Sequence, residues 1–266
     1  MTLRFTILGC GSSMGVPRPA LGWGACDPDN PKNRRRRTGF LVERQGPAGG
    51  MTRILVDTSP DLREQLIAAG VEWLDGVLFS HEHADHTHGI DDLRPLFVHR
   101  RRRIDAYLDE RTSREVRLRF DYCFQMQPGS EYPPIVTEHR LVAGRPVTIA
   151  GEGGAIEALP LLQQHGSIPS LGFRFGNLAY CCDLSGLAPE SIDALQGLDV
   201  WVVDALRYKP HPSHWCLADT LEWIARLKPR RAILTNLHAD LDYEELRRQL
   251  PPNIEPAYDG LSGVAN

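Results

Sequence analysis

The chain has 266 residues, of which 42% are hydrophobic and 24% charged, and a net charge of −4. These values suit a soluble folded chain with a sizeable core, and exclude a disordered or low-complexity protein. The mild negative charge gives no global pull towards nucleic acid or anionic membrane. No apolar run approaches a membrane span, and Met1-Thr2-Leu3-Arg4-Phe5 does not read as a signal peptide, so a cytoplasmic location is expected.

The first strand is predicted at Leu3 to Leu8, where polar and apolar residues alternate. It runs through Gly9-Cys10-Gly11-Ser12-Ser13 into a loop rich in Gly, Pro and Asn that reaches about Asn33, a length that points to function or disorder. Arg34-Arg35-Arg36-Arg37 follows, read either as a solvated face or as a source of guanidinium for phosphate. Thr38 to Val42 and Thr52 to Val56 form a predicted antiparallel pair. Asp57 ends the second of these, and Pro60 opens a helix to about Ala69.

Gly76-Val77-Leu78-Phe79 reads as a buried strand, and directly after it come His81, His83, His86 and His88, four of the ten histidines in the chain. In the run His81-Glu82-His83-Ala84-Asp85-His86, the H-x-H spacing puts His81 and His83 on one side of an extended backbone. They suit one metal ion, and Asp85 and His86 offer an oxygen and a nitrogen to a second. A polar loop that merely happens to be His-rich is the weaker reading.

Asp92 to Leu96 starts a short helix, Ile104 to Leu108 a strand, and Glu110 to Phe120 a helix. Pro128 to Pro134 is irregular and is read as a flap over the site. A strand over Ala155 to Leu161 leads to Gln163-Gln164-His165-Gly166. Leu171 to Phe175 and Leu178 to Cys182 form a predicted hairpin ending at Asp183. Helix 188–195, a strand at Val200 to Val203, a loop to Cys216, helix Leu217 to Leu227 and strand Arg231 to Thr235 follow. Asn236-Leu237-His238, a helix from Tyr243 to Leu250 and a strand near Glu255 to Tyr258 complete a second half resembling the first. No linker is visible, so residues 1–266 are read as one domain. The six cysteines include no C-x-x-C pair, and reduced thiols are expected.

The run His81 to His86 matches the H-x-H-x-D-H signature of the metallo-β-lactamase superfamily. From Gly9 to Gly260 the chain resembles one branch, the phosphodiesterases that open phosphoribosyl cyclic phosphate in carbon–phosphorus lyase pathways. The resemblance implies an αββα sandwich: two mixed β-sheets flanked by helices, with metals at one edge. It implies a first metal on His81, His83 and His165, a second on Asp85, His86 and His238, and Asp183 as the bridge. Adjacent strand residues face opposite ways, so Asp183 and Cys182 do not both face the site, and Asp183 is preferred because Asp183-Leu184-Ser185-Gly186-Leu187 resembles the family's bridging segment. Asp57 is implied as a residue that orients ligands, with helix capping as the alternative. His214 matches a histidine held near the metals without ligating them, whereas His211 has no match and reads as a surface residue. Relatives carry clustered N-terminal cysteines for an extra structural zinc, but here Cys26 stands alone and no such zinc is expected.

Nitrogen and oxygen donors without thiolate suit two Zn²⁺ ions, with Mn²⁺ or Fe²⁺ compatible. The expected activity is hydrolysis of a small phosphodiester, cyclic or linear, with His214 as general acid, Asp85 orienting water and Ser167 touching substrate. Glyoxalase-type thioester hydrolysis is the alternative and leaves His214 without a role. RNA 3′ processing lacks a segment resembling the arm that grips transfer RNA. Flavin-linked diiron chemistry has Glu where His83 stands, and a non-enzymatic metal-binding module needs no proton donor. Expected partners are a small-molecule phosphodiester, no membrane and no dedicated nucleic acid. A homodimer is compatible with the sequence.

Overall fold

A computed structural model describes residues 2–266, so Met1, the first residue of the expected domain, lies outside the described residues. In chain order the strands are β1 (Leu3–Gly9), β2 (Gly39–Gln45), β3 (Met51–Val56), β4 (Gly76–Leu78), β5 (Ile104–Leu108), β6 (Val136–Arg140), β7 (Val147–Ile149) and β8 (Ile156–His165). They continue as β9 (Ile168–Phe175), β10 (Leu178–Cys181), β11 (Gly186–Leu187), β12 (Val200–Asp204), β13 (Arg231–Thr235), β14 (Ile254–Pro256) and β15 (Ser262–Ala265). The helices are α1 (Leu62–Ala68), α2 (Ala84–Thr87), α3 (Arg94–Arg100), α4 (Glu110–Phe124), α5 (Pro189–Asp193), α6 (Leu217–Leu227) and α7 (Tyr243–Gln249).

The strands form two sheets, in the orders β15-β1-β2-β3-β4-β5-β6 and β11-β8-β9-β10-β12-β13-β14, with β7 on β8. In the first, the pairings from β15 to β3 are antiparallel and those from β3 to β6 parallel. The second repeats this pattern, antiparallel from β11 to β10 and parallel from β10 to β14. The expected likeness of the two halves is therefore a likeness of topology.

Three apolar layers hold this arrangement. Phe5, Phe40, Phe173, Tyr180 and Ile233 belong to the core between the sheets, where the Phe40 and Tyr180 rings stack at 4.5 Å. Leu62, Leu66, Leu93, Leu96 and Val116 carry α1, α3 and α4 onto the outer face of the first sheet. Leu217, Ile224, Leu227 and Leu246 carry α6 and α7 onto the outer face of the second. This is the αββα sandwich, with helices outside and sheets face to face. All six cysteines are buried and unpaired.

Several boundaries differ from the sequence reading. Helix α1 starts at Leu62 rather than Pro60 because the Asp61 carboxylate turns back to Arg37, binding its Nε at 2.9 Å and backbone N at 2.8 Å, and caps nothing. Helix α4 runs on to Phe124 through a kink at Phe120. Strand β8 extends to His165, placing that residue at the strand end rather than past it. The segment 128–134 is irregular as expected, but Ser130 and Tyr132 line a hollow with Arg94 and Tyr122, and none of it lines the cleft over the histidines.

Candidate metal centre

The site lies at one edge of the sandwich, where strands of both sheets end. Three strand-end residues there have left-handed backbones: Asp57 after β3 (φ 64°), Asp183 after β10 (φ 53°) and Asn236 after β13 (φ 61°). Such conformations are uncommon outside glycine and cluster at functional sites, where surrounding contacts hold them. Here each turns a polar side chain into the site instead of letting the strand continue.

Asp57 is fully buried and gathers the metal loop around itself. Its Oδ1 accepts from Ser80 N at 2.8 Å, and its Oδ2 lies 2.8 Å from Ser80 Oγ and 2.7 Å from His86 Nδ1. Ser80 Oγ lies 3.0 Å from His81 Nδ1. Asp57 is thus an orienting carboxylate and not a helix cap. With Nδ1 of His81 and His86 occupied, their Nε2 atoms face inward. Both Nε2 atoms are buried and have no hydrogen-bond partner.

These nitrogens converge on one oxygen. Asp183 Oδ2 lies 3.8 Å from His81 Nε2, 3.4 Å from His86 Nε2, 3.5 Å from His165 Nε2 and 3.9 Å from His214 Nε2. His81, His83, His165 and Asp183 offer one donor atom each, all within 4.8 Å of one another, and Asp85, His86 and Asp183 form a second such group. His165 is fixed from behind by Ser213 O, 2.7 Å from its Nδ1. Cys182 points instead into the core between the sheets, and burial pushes its thiol pKa well above the ordinary value.

The donor set fits divalent cations. Burial pushes the His81 pKa well below its ordinary value, leaving a neutral imidazole with a free lone pair. At His86 burial acts the same way, but Asp183, Asp57 and Asp85 outweigh it and hold the pKa well above the ordinary value. A site that draws positive charge, with orphaned buried nitrogens facing a shared carboxylate oxygen, is what a cation satisfies.

His214 stands against this group in a different setting. Its Nδ1 is 2.8 Å from Asp204 Oδ2, and Asp204 is fully buried at the end of β12. Burial lowers the His214 pKa, yet Asp204 and Asp183 overcome it and lift it to about 9. Asn236 Nδ2 donates to Asp183 Oδ1 at 3.0 Å and to Asp204 Oδ1 at 3.1 Å, joining the two carboxylates. Sequence reading passed over Asp204, Asn236 and Ser80. The first had a visible signal, since Val200-Trp201-Val202-Val203-Asp204 repeats the apolar-run-then-Asp pattern of Ile54-Leu55-Val56-Asp57.

The cleft over these groups has a volume of about 180 Å³ and is lined by residues including Asp85, Asp183, His211, His214, Asn236 and His238. His211 is therefore a cleft residue, with its ring 5.1 Å from that of His214. His238 shares the cleft but lies outside these donor groups and outside the third that Asp183, Asp204 and His214 form: its Nδ1 faces Asp240 Oδ1 at 3.0 Å and its Nε2 faces Arg18 Nη1 at 2.9 Å. Ser167 is exposed and lines a separate groove with Leu162, Gln164 and Pro169, so the structure does not bring it to the site.

The arginine run divides by alternation. Arg35 is buried and donates to the carbonyls of His238 (3.1 Å) and Leu241 (2.6 Å), and Arg37 is held by Asp61. Arg34 and Arg36 face a hollow of about 440 Å³ that contains no imidazole.

A family model described as a Beta-lactamase superfamily domain matches residues 52–236. The chain belongs to the metallo-β-lactamase superfamily. Within it, this superfamily member is similar to a crystal structure described as a new diphosphatase from the PhnP family. The two are 35% identical, with 99% of this chain and 97% of that one covered and a TM-score of 0.88, which places the chain in the PhnP branch. An octanoyltransferase of Porphyromonas gingivalis (strain ATCC BAA-308 / W83) is 34% identical over 267 residues, covering 98% of this chain and 51% of that protein. The chain thus spans about half the length of that curated relative. Zn(2+)-bound PqqB from Methylobacterium extorquens is 15% identical, covers 98% of this chain and 99% of its own, and has a TM-score of 0.72, a likeness of fold. Superfamily membership, the PhnP-family neighbour and the His/Asp cluster together support a metal-dependent hydrolase.

Proposed function

We propose that the chain is a dinuclear phosphodiesterase that hydrolyses a small phosphodiester, cyclic or linear, of a sugar or nucleotide, such as phosphoribosyl 1,2-cyclic phosphate. In this reading His81, His83 and His165 would hold one ion and Asp85, His86 and His238 the other, with Asp183 shared between the two sets. Two such ions, Zn²⁺ in preference to Mn²⁺ or Fe²⁺, supply charge against a phosphoryl oxygen and lower the pKa of water.

The observation that carries the reading is His214. Its ring stands beside the cluster with Nδ1 held by buried Asp204, so Nε2 is the atom left to serve the cleft. Hydrolysis of a diester forms a new P–O bond from water and breaks the bond to an alkoxide, a poor leaving group until protonated. In this reading His214 Nε2–H gives that proton. Asp85, partly open to the cleft, orients the incoming water. Thioester hydrolysis expels a thiolate, which needs no such donor, so His214 favours the phosphodiester.

A second reading is favoured by the diphosphatase of the PhnP family at 35% identity: cleavage of a P–O–P linkage by the same groups. The deciding experiment is turnover of a panel by metal-loaded protein: phosphoribosyl 1,2-cyclic phosphate, 2′,3′-cyclic nucleotides, linear diesters, a diphosphate-linked ester and a glutathione thioester. Preference for a cyclic or linear diester supports the first reading, and preference for the diphosphate the second. Thioester cleavage without phosphate chemistry removes both.

A further inference from the structure

The loop between β1 and β2 carries one cation up to His238, a residue that lines the cleft. Arg18 sits at the base of a tight turn in which Arg18 N donates to Gly22 O at 2.9 Å and Gly22 N donates to Arg18 O at 2.8 Å. Pro17 and Pro19 flank it and restrict the backbone on either side. The guanidinium reaches His238 Nε2 at 2.9 Å, while its Nε is buried and has no partner. Among the described residues it makes no ion pair with a carboxylate.

This arrangement is built and not incidental. Arg35 exchanges backbone hydrogen bonds with Val16 at 2.8 and 2.9 Å, and its side chain binds the His238 carbonyl. Ala25 N donates to Ala239 O at 2.8 Å, and a Cβ on Gly24 would fall 2.4 Å from that same oxygen. The loop bearing Arg18 and the loop bearing His238 are thus locked together, with Arg35 fixing the register of both. Arg207, the arginine that lines the cleft itself, is spent on carbonyls of its own loop, Lys209 O and Pro210 O. Arg18 is the one left facing a neutral acceptor.

A guanidinium on an imidazole nitrogen satisfies only part of its donor capacity, and its five N–H groups match phosphate oxygens far better. Asp240 holds His238 Nδ1, so the lone pair of His238 lies on Nε2, the nitrogen given above to the second ion. One lone pair serves one partner. An ion on that nitrogen would take the guanidinium's acceptor and leave its N–H groups without a partner beside the cleft residue His238.

We propose that Arg18 is a substrate-binding residue that receives a non-bridging phosphate oxygen on the His238 side of the cleft, and so selects anionic phosphate substrates over neutral acyl ones. The proposal rests on the phosphodiesterase reading and extends it. The test uses metal-loaded protein and inorganic phosphate as probe, with Arg18→Gln and Arg18→Lys as variants. Calorimetry gives the phosphate Kd, metal analysis the ion content, and the thermal midpoint reports folding.

The expected result is a phosphate Kd weaker by about tenfold or more in Arg18→Gln, partly restored in Arg18→Lys, with ion content and midpoint unchanged. KM for a diester should rise in step, with a smaller change in kcat. An unchanged Kd, or a wild-type protein that does not bind phosphate, overturns the proposal. Loss of metal alongside phosphate also overturns it, since Arg18 would then be maintaining His238. The phosphodiesterase reading fails separately, by the substrate panel, because the Kd measurement needs no turnover.

Discussion

At the residue scale, His214 and Asp183 show how position separates two polar groups a few ångströms apart. Asp183 is ringed by imidazoles, while His214 is braced by Asp204. Replacing His214 with alanine should lower diester turnover by about 10²–10⁴-fold while leaving metal content intact, as expected of a lost proton donor. Metal loss in that variant would make His214 a ligand. Asp259 shows a different consequence of burial. Its carboxylate accepts from Cys10 N at 3.1 Å and Arg36 N at 2.7 Å, yet burial dominates and raises its pKa to about 6. A carboxyl whose pKa is higher folded than unfolded favours the folded state most below the unfolded value near 4. That contribution is lost as pH rises through about 6. Asp259→Asn removes the dependence, so its stability relative to the parent should improve by up to about 3 kcal/mol between pH 4 and 7. Urea unfolding at both pH values measures it, and a constant difference would mean that Asp259 does not titrate in this window.

At the scale of elements, the site depends on how the metal loop docks against the end of β3. Thr58 N donates to His86 O at 2.7 Å and Gly89 N to Thr58 O at 2.9 Å, pinning the C-terminal end of α2 and the turn that follows it. At Gly89 a Cβ would fall 1.9 Å from the Ser59 carbonyl oxygen, so the loop cannot close with any side chain there. Gly89→Ala should cost about 1–3 kcal/mol, at the upper end because backbone must move, and should weaken metal binding by displacing His86. Full metal content at parental stability would show that the loop tolerates the shift. Sequence patterns read these elements unevenly. Strands β4, β12 and β13 were legible because both faces are buried and their sequences are continuous apolar runs. Strand β15, Ser-Gly-Val-Ala, has no such pattern and exists because β1 offers it an edge. His81, His83 and His86 were legible because their spacing carries the chemistry, whereas His165, His214 and His238 stand alone in the sequence and were assigned only through the family resemblance. Arg18, Asn236 and Asp204 were less so, because each acts through a contact with a residue distant in sequence. His238 and Arg18 are 220 positions apart.

At the scale of the molecule, the donors come from both halves of the sandwich. His81, His83, Asp85 and His86 follow β4 of the first sheet, whereas His165 ends β8 and Asp183 follows β10 of the second, and His238, assigned to the second ion in the proposed set, follows β13. The chain itself already crosses near the site: Leu171 N donates to Ser80 O at 2.9 Å, Leu237 N donates to Cys10 O at 2.8 Å, Arg35 binds the His238 carbonyl, and Asp183 contacts His81 and His86. Ions held by both sets therefore join the sheets where the core between them ends. Because these side chains converge only in the folded chain, the binding energy is folding energy. Metal at about a thousandfold excess over its Kd should add about 4 kcal/mol of stability, a rise in Tm of about 8–16 °C for a chain of this size. Scanning calorimetry of metal-loaded and chelator-stripped protein measures the shift. His165→Ala and His86→Ala each remove a donor from one half, and each should erase most of it. A Tm unmoved by chelation, in protein shown to hold metal beforehand, would mean that the sandwich closes by its apolar core alone and that the ions sit on a finished scaffold.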